Sequence, residues 1–207
     1  MTNTWQNLLD PEIQSFIELH RNDDIRALAL KKPPSPSWDY PLILDQIKAR
    51  QKARVKSPTW LDIPGLIFPP SDTLEQGSSF ATAAYKASLA NGNSFIDLTG
   101  GASIDADALS HHFTNGIVVE RDKNAAAILQ HNFKVLGRDN IKIICDTAEN
   151  FVQQLNAVDY VFIDPQRRNE SRKGLYKLED CSPNILELFP VLLKKSAAII
   201  LKTSPMF

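Results

Sequence analysis

Cysteine is scarce in this chain of 207 residues: Cys145 and Cys181 are the only two. A disulfide scaffold is therefore not expected, and a reducing cytoplasm suits the composition. The four histidines, His20, His111, His112 and His131, have no metal-ligand spacing with cysteines or carboxylates, so no metal site is expected. No apolar run approaches the ~20 residues a membrane span needs. The N-terminus, with Trp5, Gln6, Asn7 and Asp10, lacks the basic and apolar regions of a secretion signal. Charge of one sign is missing as well. Lys and Arg number 23 against 24 Asp and Glu, a net charge of −1. The surface as a whole is no polyanion binder, and any nucleic-acid contact must come from local patches. Repeats and low-complexity segments are absent.

What is present suits one α/β domain with a small appendage. Residues 1–70 lack strand alternation and read as a small helical N-terminal domain or cap. Asp10-Pro11 opens a helix with Ile13, Phe16, Ile17 and Leu19 on one face. A short helix with Ile25, Leu28 and Leu30 follows, then the extended linker Lys32-Pro33-Pro34-Ser35-Pro36. A third helix runs from Leu42 into Lys48, Arg50, Lys52, Arg54 and Lys56, a basic run that either faces phosphates or is a solvated face. Pro58, Pro64, Pro69 and Pro70 predict a loop, and Ser71-Asp72 caps a helix expected over 73–90. Strands and helices then alternate. Strands are expected at 94–98, 116–120, 141–145, 158–163 and 197–201, with helices near 104–112, 123–136, 148–155 and 183–195. That alternation predicts a parallel sheet.

The organising stretch is 95–105. Apolar Phe95, Ile96 and Leu98 read as a strand buried on both faces. Asp97 lies in it, and Thr99, Gly100, Gly101, Ala102 and Ser103 follow as a turn of small residues past which a ligand can approach the backbone. Ser103 or Asp105 is expected to cap the next helix. Other strand ends add polar groups to the same rim. Glu120, followed by Arg121, ends the second strand at the offset where a ribose diol finds an acidic acceptor, or else is a surface acid in a turn. Asp146-Thr147 follows the third, with Asp146 as an acceptor for an adenine amine or as a helix cap. Asp164-Pro165-Gln166-Arg167-Arg168 follows the fourth and is the most specific motif.

Asp97 to Asp105, Glu120, Asp146 and Asp164-Pro165, in this order, resemble a class I S-adenosylmethionine-dependent methyltransferase over residues 72–207. Leu74-Glu75-Gln76-Gly77-Ser78-Ser79, the Asp-Pro motif and Leu201-Lys202-Thr203-Ser204-Pro205 resemble, more narrowly, bacterial methyltransferases with a C-terminal THUMP-like domain, which are thought to act on RNA. The turn and Asp-Pro are also similar to small-subunit rRNA guanine-N2 methyltransferases. The resemblance implies a Rossmann-like α/β sheet over 71–207, truncated after strand five, with the strand-five edge exposed or paired. It implies S-adenosylmethionine as cofactor, held by Asp97, Thr99, Gly100, Gly101, Ser103, Asp105, Glu120, Arg121, Asp146, Thr147 and Asp164. RNA, ribosomal or transfer, is the implied partner. Two positions depart from the family pattern: Ser103 stands where glycine is usual, and Gln166-Arg167 replaces a proline and an aromatic. A nicotinamide dehydrogenase fits less well, because the turn does not spell G-x-G-x-x-G.

An exocyclic base amine is a poor nucleophile, its lone pair delocalised into the ring. The Asp164 carboxylate is expected to accept its N–H bonds and turn the lone pair toward the methyl group, with Pro165 fixing the direction of Asp164. Arg167 stacks on the base or grips a phosphate, and Gln166, Arg168 and Lys202 contact substrate. Arg172, Lys173 and Lys177 make the loop basic. A pyrimidine C5 mechanism needs a cysteine beside the base; Cys145 reads as strand, and Cys181 lies well beyond the Asp-Pro turn in sequence. The alternatives are a non-catalytic RNA-binding module that keeps this fold, and a small-molecule or protein methyltransferase.

Overall fold

A computed structural model describes residues 5–167, 178 and 181–203. The first helices start where aspartates stop the chain from fraying. Asp10 caps α1 (Pro11–Leu19), Asp24 caps α2 (Ile25–Ala29) and Asp39 caps α3 (Tyr40–Lys56), each accepting a first-turn N–H. Tyr40, Ile43, Leu44 and Ile47 of α3 bury against Ile13, Ile17, Leu28 and Ile67. Its Ala49 and Ala53 join a second cluster with Trp60, Phe68, Leu74, Ala83, Ala102 and Ile104. The N-terminal helices thus share a core with the segment that carries the glycine turn. The proline-rich stretch is not all loop, since Pro58–Asp62 forms a 3-10 turn.

The expected helix over 73–90 is two helices, α4 (Ser71–Gln76) and α5 (Phe80–Ser88). Gly77 leaves α4 extended, and a Cβ there would stand 3.1 Å from the Ala102 Cβ. Ser79 starts α5 by accepting the Thr82 N–H at 3.3 Å. Close packing on the glycine turn breaks the helix, and the small residues at 77–79 permit it.

From Gly92 the expected alternation appears: β1 (Gly92–Asp97), α6 (Ile104–Ser110), β2 (Phe113–Glu120), α7 (Lys123–Val135), β3 (Ile141–Cys145), α8 (Ala148–Gln153) and β4 (Val158–Ile163). Next come short β5 (Gln166–Arg167) and β6 (Cys181–Ser182), then α9 (Ile185–Lys195) and β7 (Ser196–Leu201). Five strands pair in the order β3-β2-β1-β4-β7, all parallel. One apolar layer joins Ile96, Leu98, Val161 and Ile163 to α8 and α9; the other joins Phe95, Val118, Phe133 and Phe162 on the opposite face. Gly116 lets β2 pass β1, for a Cβ there would lie 2.3 Å from the Phe95 ring. Strand order reverses between β1 and β4. Open α/β sheets form a ligand crevice beyond the carboxyl ends of the strands at such a reversal.

Among the described residues, no helix is long and apolar enough to cross a membrane, and no group of three His, Cys, Asp or Glu is placed to hold a metal.

The lysines of the basic run of α3 are tied to neighbouring elements rather than left to face phosphates. Lys48 and Lys52 pair with Asp72, Lys52 also with Glu75, and Lys56 donates to the Gly77 carbonyl at 2.8 Å. These lysines clamp α3 to α4.

Candidate active site

A cleft of about 990 Å³ opens at this reversal. It is lined by the turn 97–105, by Glu120 and Arg121, by Asp146 and Thr147, by Asp164, Pro165 and Gln166, and by Lys202. The ends of β1, β2, β3 and β4 therefore bring the expected residues to one rim.

The turn is shaped by its backbone. Gly101 and Ser103 have positive φ, 48° and 56°. Ser103 holds the left-handed conformation that glycine adopts without strain, and its hydroxyl donates to the Gly100 carbonyl at 2.8 Å. That local bond is how a serine is accommodated there. It also removes Ser103 as a cap: neither it nor Asp105 caps α6 by side chain, contrary to expectation. A Cβ on Gly100 would meet Leu129 at 3.0 Å and Glu120 at 3.1 Å, whereas one on Gly101 would meet only the Thr99 carbonyl, at 3.5 Å. The turn is packed from behind and open above.

Glu120 braces this turn. One carboxylate oxygen accepts the Gly101 N–H at 3.1 Å, the other the Asp122 N–H at 2.8 Å. Asp146 accepts the Thr147 N–H at 2.8 Å, and Thr147, not Asp146, caps α8. Arg121 donates to the Ser182 hydroxyl at 3.0 Å.

The other wall is charged and paired. Asp97 is 1% exposed and accepts the Thr99 N–H and hydroxyl at 2.8 and 3.1 Å. Burial pushes its carboxyl up to about 8, with Asp105 and Asp164 adding to the rise. The Thr99 hydroxyl also accepts the Asp164 N–H at 2.8 Å, tying β1 to β4. Burial raises the Asp164 carboxyl, and the Lys202 ammonium opposes that rise. Lys202 is ion-paired to Asp164 and donates to the Gln76 carbonyl at 3.1 Å. Lys202, expected as a substrate contact, lines the cleft and is tied to Asp164.

Lys86 escaped the sequence reading. It ion-pairs with Asp105, donates to the Ser78 hydroxyl at 2.7 Å, and sits 4.8 Å from the Phe162 ring centre. The signal was a lysine one turn from buried Ala83 and beside buried Ala87 on α5. Cys181 also needs correcting: far from the Asp-Pro turn in sequence, it pairs across β5–β6 with Arg167. Arg168, Arg172, Lys173, Lys177, Ser204 and Pro205 lie outside the described residues.

The whole chain superposes on a protein of Porphyromonas gingivalis W83 described as a methyltransferase, with 28% identity and a TM-score of 0.79. It covers 51% of that structure, so the chain spans about half its length. A described methyltransferase, yhhF of Escherichia coli, is 18% identical over 60% of this chain and 70% of that one, with a TM-score of 0.44. SMU.1697c of Streptococcus mutans, solved with S-adenosylhomocysteine, is 14% identical over 56% of this chain and 64% of that one, with a TM-score of 0.43. Both fall below the similarity at which a fold comparison is informative. No curated protein matches the chain. Residues 70–203 match the family described as Conserved hypothetical protein 95. The sheet order, the crevice and the Porphyromonas likeness agree: the chain has the class I S-adenosylmethionine-dependent methyltransferase fold and belongs to the Conserved hypothetical protein 95 family.

Proposed function

We propose that this chain transfers a methyl group from S-adenosylmethionine to an exocyclic amine of an RNA base. Residues 71–207 form the cofactor-binding part and 1–70 a cap. The observation that carries the reading is the convergence of the glycine turn, Glu120, Asp146 and Asp164-Pro165 on one cleft. The open space over Gly101 and the acceptors Glu120 and Asp146 fit an adenosyl group. S-adenosylmethionine, when bound, supplies a methyl group on an already activated leaving group. Glu120 accepts its ribose hydroxyls and Asp146 its adenine amine. Asp97, Thr99, Gly100, Gly101, Ser103 and Asp105 surround its amino-acid part, with Arg121 and Thr147 at the adenosyl side.

The chain's own contribution to methyl transfer is alignment and charge. Lys202 occupies one oxygen of Asp164, and a carboxylate has further lone pairs to receive an amine N–H. The Lys202 ammonium also opposes the rise that burial imposes on the Asp164 carboxyl. Asp164 turns the amine lone pair toward the methyl carbon and offsets the positive charge that grows on nitrogen. Proline at 165 holds Asp164 extended. Gln166, Arg167 and Arg168 take the substrate base and its phosphate. Kinship with the THUMP-like methyltransferases belongs to this same proposal.

The test combines calorimetric titration of S-adenosylmethionine with methylation of RNA from a strain lacking the protein, the product mapped by mass spectrometry. Asp164→Ala is expected to lower turnover about 100-fold while leaving cofactor affinity within about twofold. Unchanged turnover removes the amine role of Asp164. A methylated protein or small molecule, with RNA unmodified, overturns the RNA assignment.

A further inference from the structure

A second cleft, of about 550 Å³, lies against α3. Arg50 and Arg54 line it from α3, Arg21 and Asn22 from the turn after α1. The mean direction of positions 50 and 54 lies about 180° around the helix from that of 48, 52 and 56. This cleft therefore faces away from the lysines that clamp α4.

The two faces of α3 satisfy their cations differently. Lys48 and Lys52 have carboxylate partners. Arg50 and Arg54 have neutral ones. Arg50 donates to the Gln14 side-chain carbonyl at 3.2 Å; Arg54 donates to the Arg21 carbonyl at 3.0 Å and to the Asn22 side chain. Among the described residues, no carboxylate lies within 4.0 Å of either guanidinium. The Arg50 guanidinium lies 5.2 Å from the Phe68 ring centre, and its Nε is buried without a partner. Burial pulls its basicity down, and Glu18 acts on it only across space. The acids at this cleft, Glu18 and Asp62, are exposed, and Glu18 is already ion-paired to Arg21. A partly buried guanidinium without a counter-ion is costly, and guanidinium forks match phosphate oxygens in pairs.

We propose that Arg50 and Arg54 form a phosphate-binding site, separate from the methyl-transfer cleft, that takes a phosphate of an RNA backbone. The phosphate site stands on its own; the RNA source rests on the function proposed above. A phosphodiester held there anchors RNA on the N-terminal helices while another part of it enters the cleft.

The experiment measures binding of a short fluorescent single-stranded RNA against salt, and thermal melting with inorganic phosphate, for the chain and for Arg54→Gln and Arg50→Gln/Arg54→Gln. The chain is expected to bind RNA with an affinity that falls as salt rises and to melt higher in phosphate. The double variant is expected to lose about an order of magnitude in RNA affinity. Its slope of log affinity on log salt becomes shallower by about 1 for each phosphate that the arginines no longer neutralise. The phosphate-induced rise in melting disappears with it. Loss of the phosphate response alone assigns the site to a free phosphate and overturns the RNA source. Wild-type slope and phosphate response in a folded variant overturn the site. Arg54 is exposed, so Arg54→Gln decides the question if Arg50→Gln fails to fold. S-adenosylmethionine titration of each variant reads the methyl-transfer cleft separately and should not change. If cofactor binding fails while the arginine effects stand, only the methyl-transfer reading is lost.

Discussion

The two walls of the main cleft hold their acids in different ways. On the β1–β2–β3 side, Glu120 and Asp146 accept backbone N–H groups, and among the described residues no cation lies within ion-pair distance of them. On the β4–β7 side, Asp164 is locked to Lys202, and Asp105, at the start of α6, to Lys86. The first wall offers hydrogen-bond acceptors free of cations, as ribose and adenine recognition requires. The second sets an ammonium against each carboxyl, and at Asp164 that cation opposes the rise that burial imposes. The proposed methyl transfer to an amine would draw on both walls.

Substitutions at four positions sharpen or break this contrast. The largest effect is expected from Lys202→Met, which removes the cation opposing the raised carboxyl of Asp164. Turnover at neutral pH should fall about 100-fold. The rising limb of the pH–rate profile should move to higher pH, and Lys202→Arg should restore most of it. A profile that keeps its position removes the charge argument. Next comes Glu120→Ala, on the wall whose acids have no cation partner among the described residues. Losing a charged acceptor should weaken S-adenosylmethionine about ten- to hundredfold by calorimetry, with no shift in the pH profile. Gly100→Ala follows, because its Cβ would press on Leu129 at 3.0 Å and on Glu120 at 3.1 Å. It should cost about 1–3 kcal/mol in denaturant unfolding and weaken the cofactor as Glu120 is displaced.

The effect expected at Asp97 is read in the pH dependence of stability rather than in turnover or binding. Its carboxyl titrates near 8 in the fold against 3.8 when unfolded. Its contribution to stability is complete below the unfolded value and is lost as pH rises through the folded one. Unfolding midpoints should therefore fall as pH rises from about 4 to about 8, and Asp97→Asn should flatten that slope. An identical slope in the variant would show that Asp97 is ionised in the folded chain.

The wall of Glu120 and Asp146 was largely legible in the sequence because most of its bonds are local. Glu120 bonds two residues on and reaches a turn on the adjacent strand, and Asp146 bonds to its neighbour. The charged wall was not. Asp164 and Lys202 are 38 residues apart, and nothing in that spacing shows that they meet. Lys86 sits in an alanine-rich helix, where one lysine reads as solubility. Periodicity gave the strands to within a few residues. It missed the break at Gly77, because only tertiary packing against Ala102 forces it. The basic run of α3 divides for a related reason: a linear pattern does not say which cations find carboxylates. Lys48 and Lys52 do, and Arg50 and Arg54 do not.

Calorimetric titration of S-adenosylmethionine into the chain tests the account most directly. The account predicts one site per chain, weakened in Glu120→Ala and Gly100→Ala and retained in Asp164→Ala. A folded chain that gives no binding signal, or one whose affinity ignores Glu120 and Gly100, would contradict it.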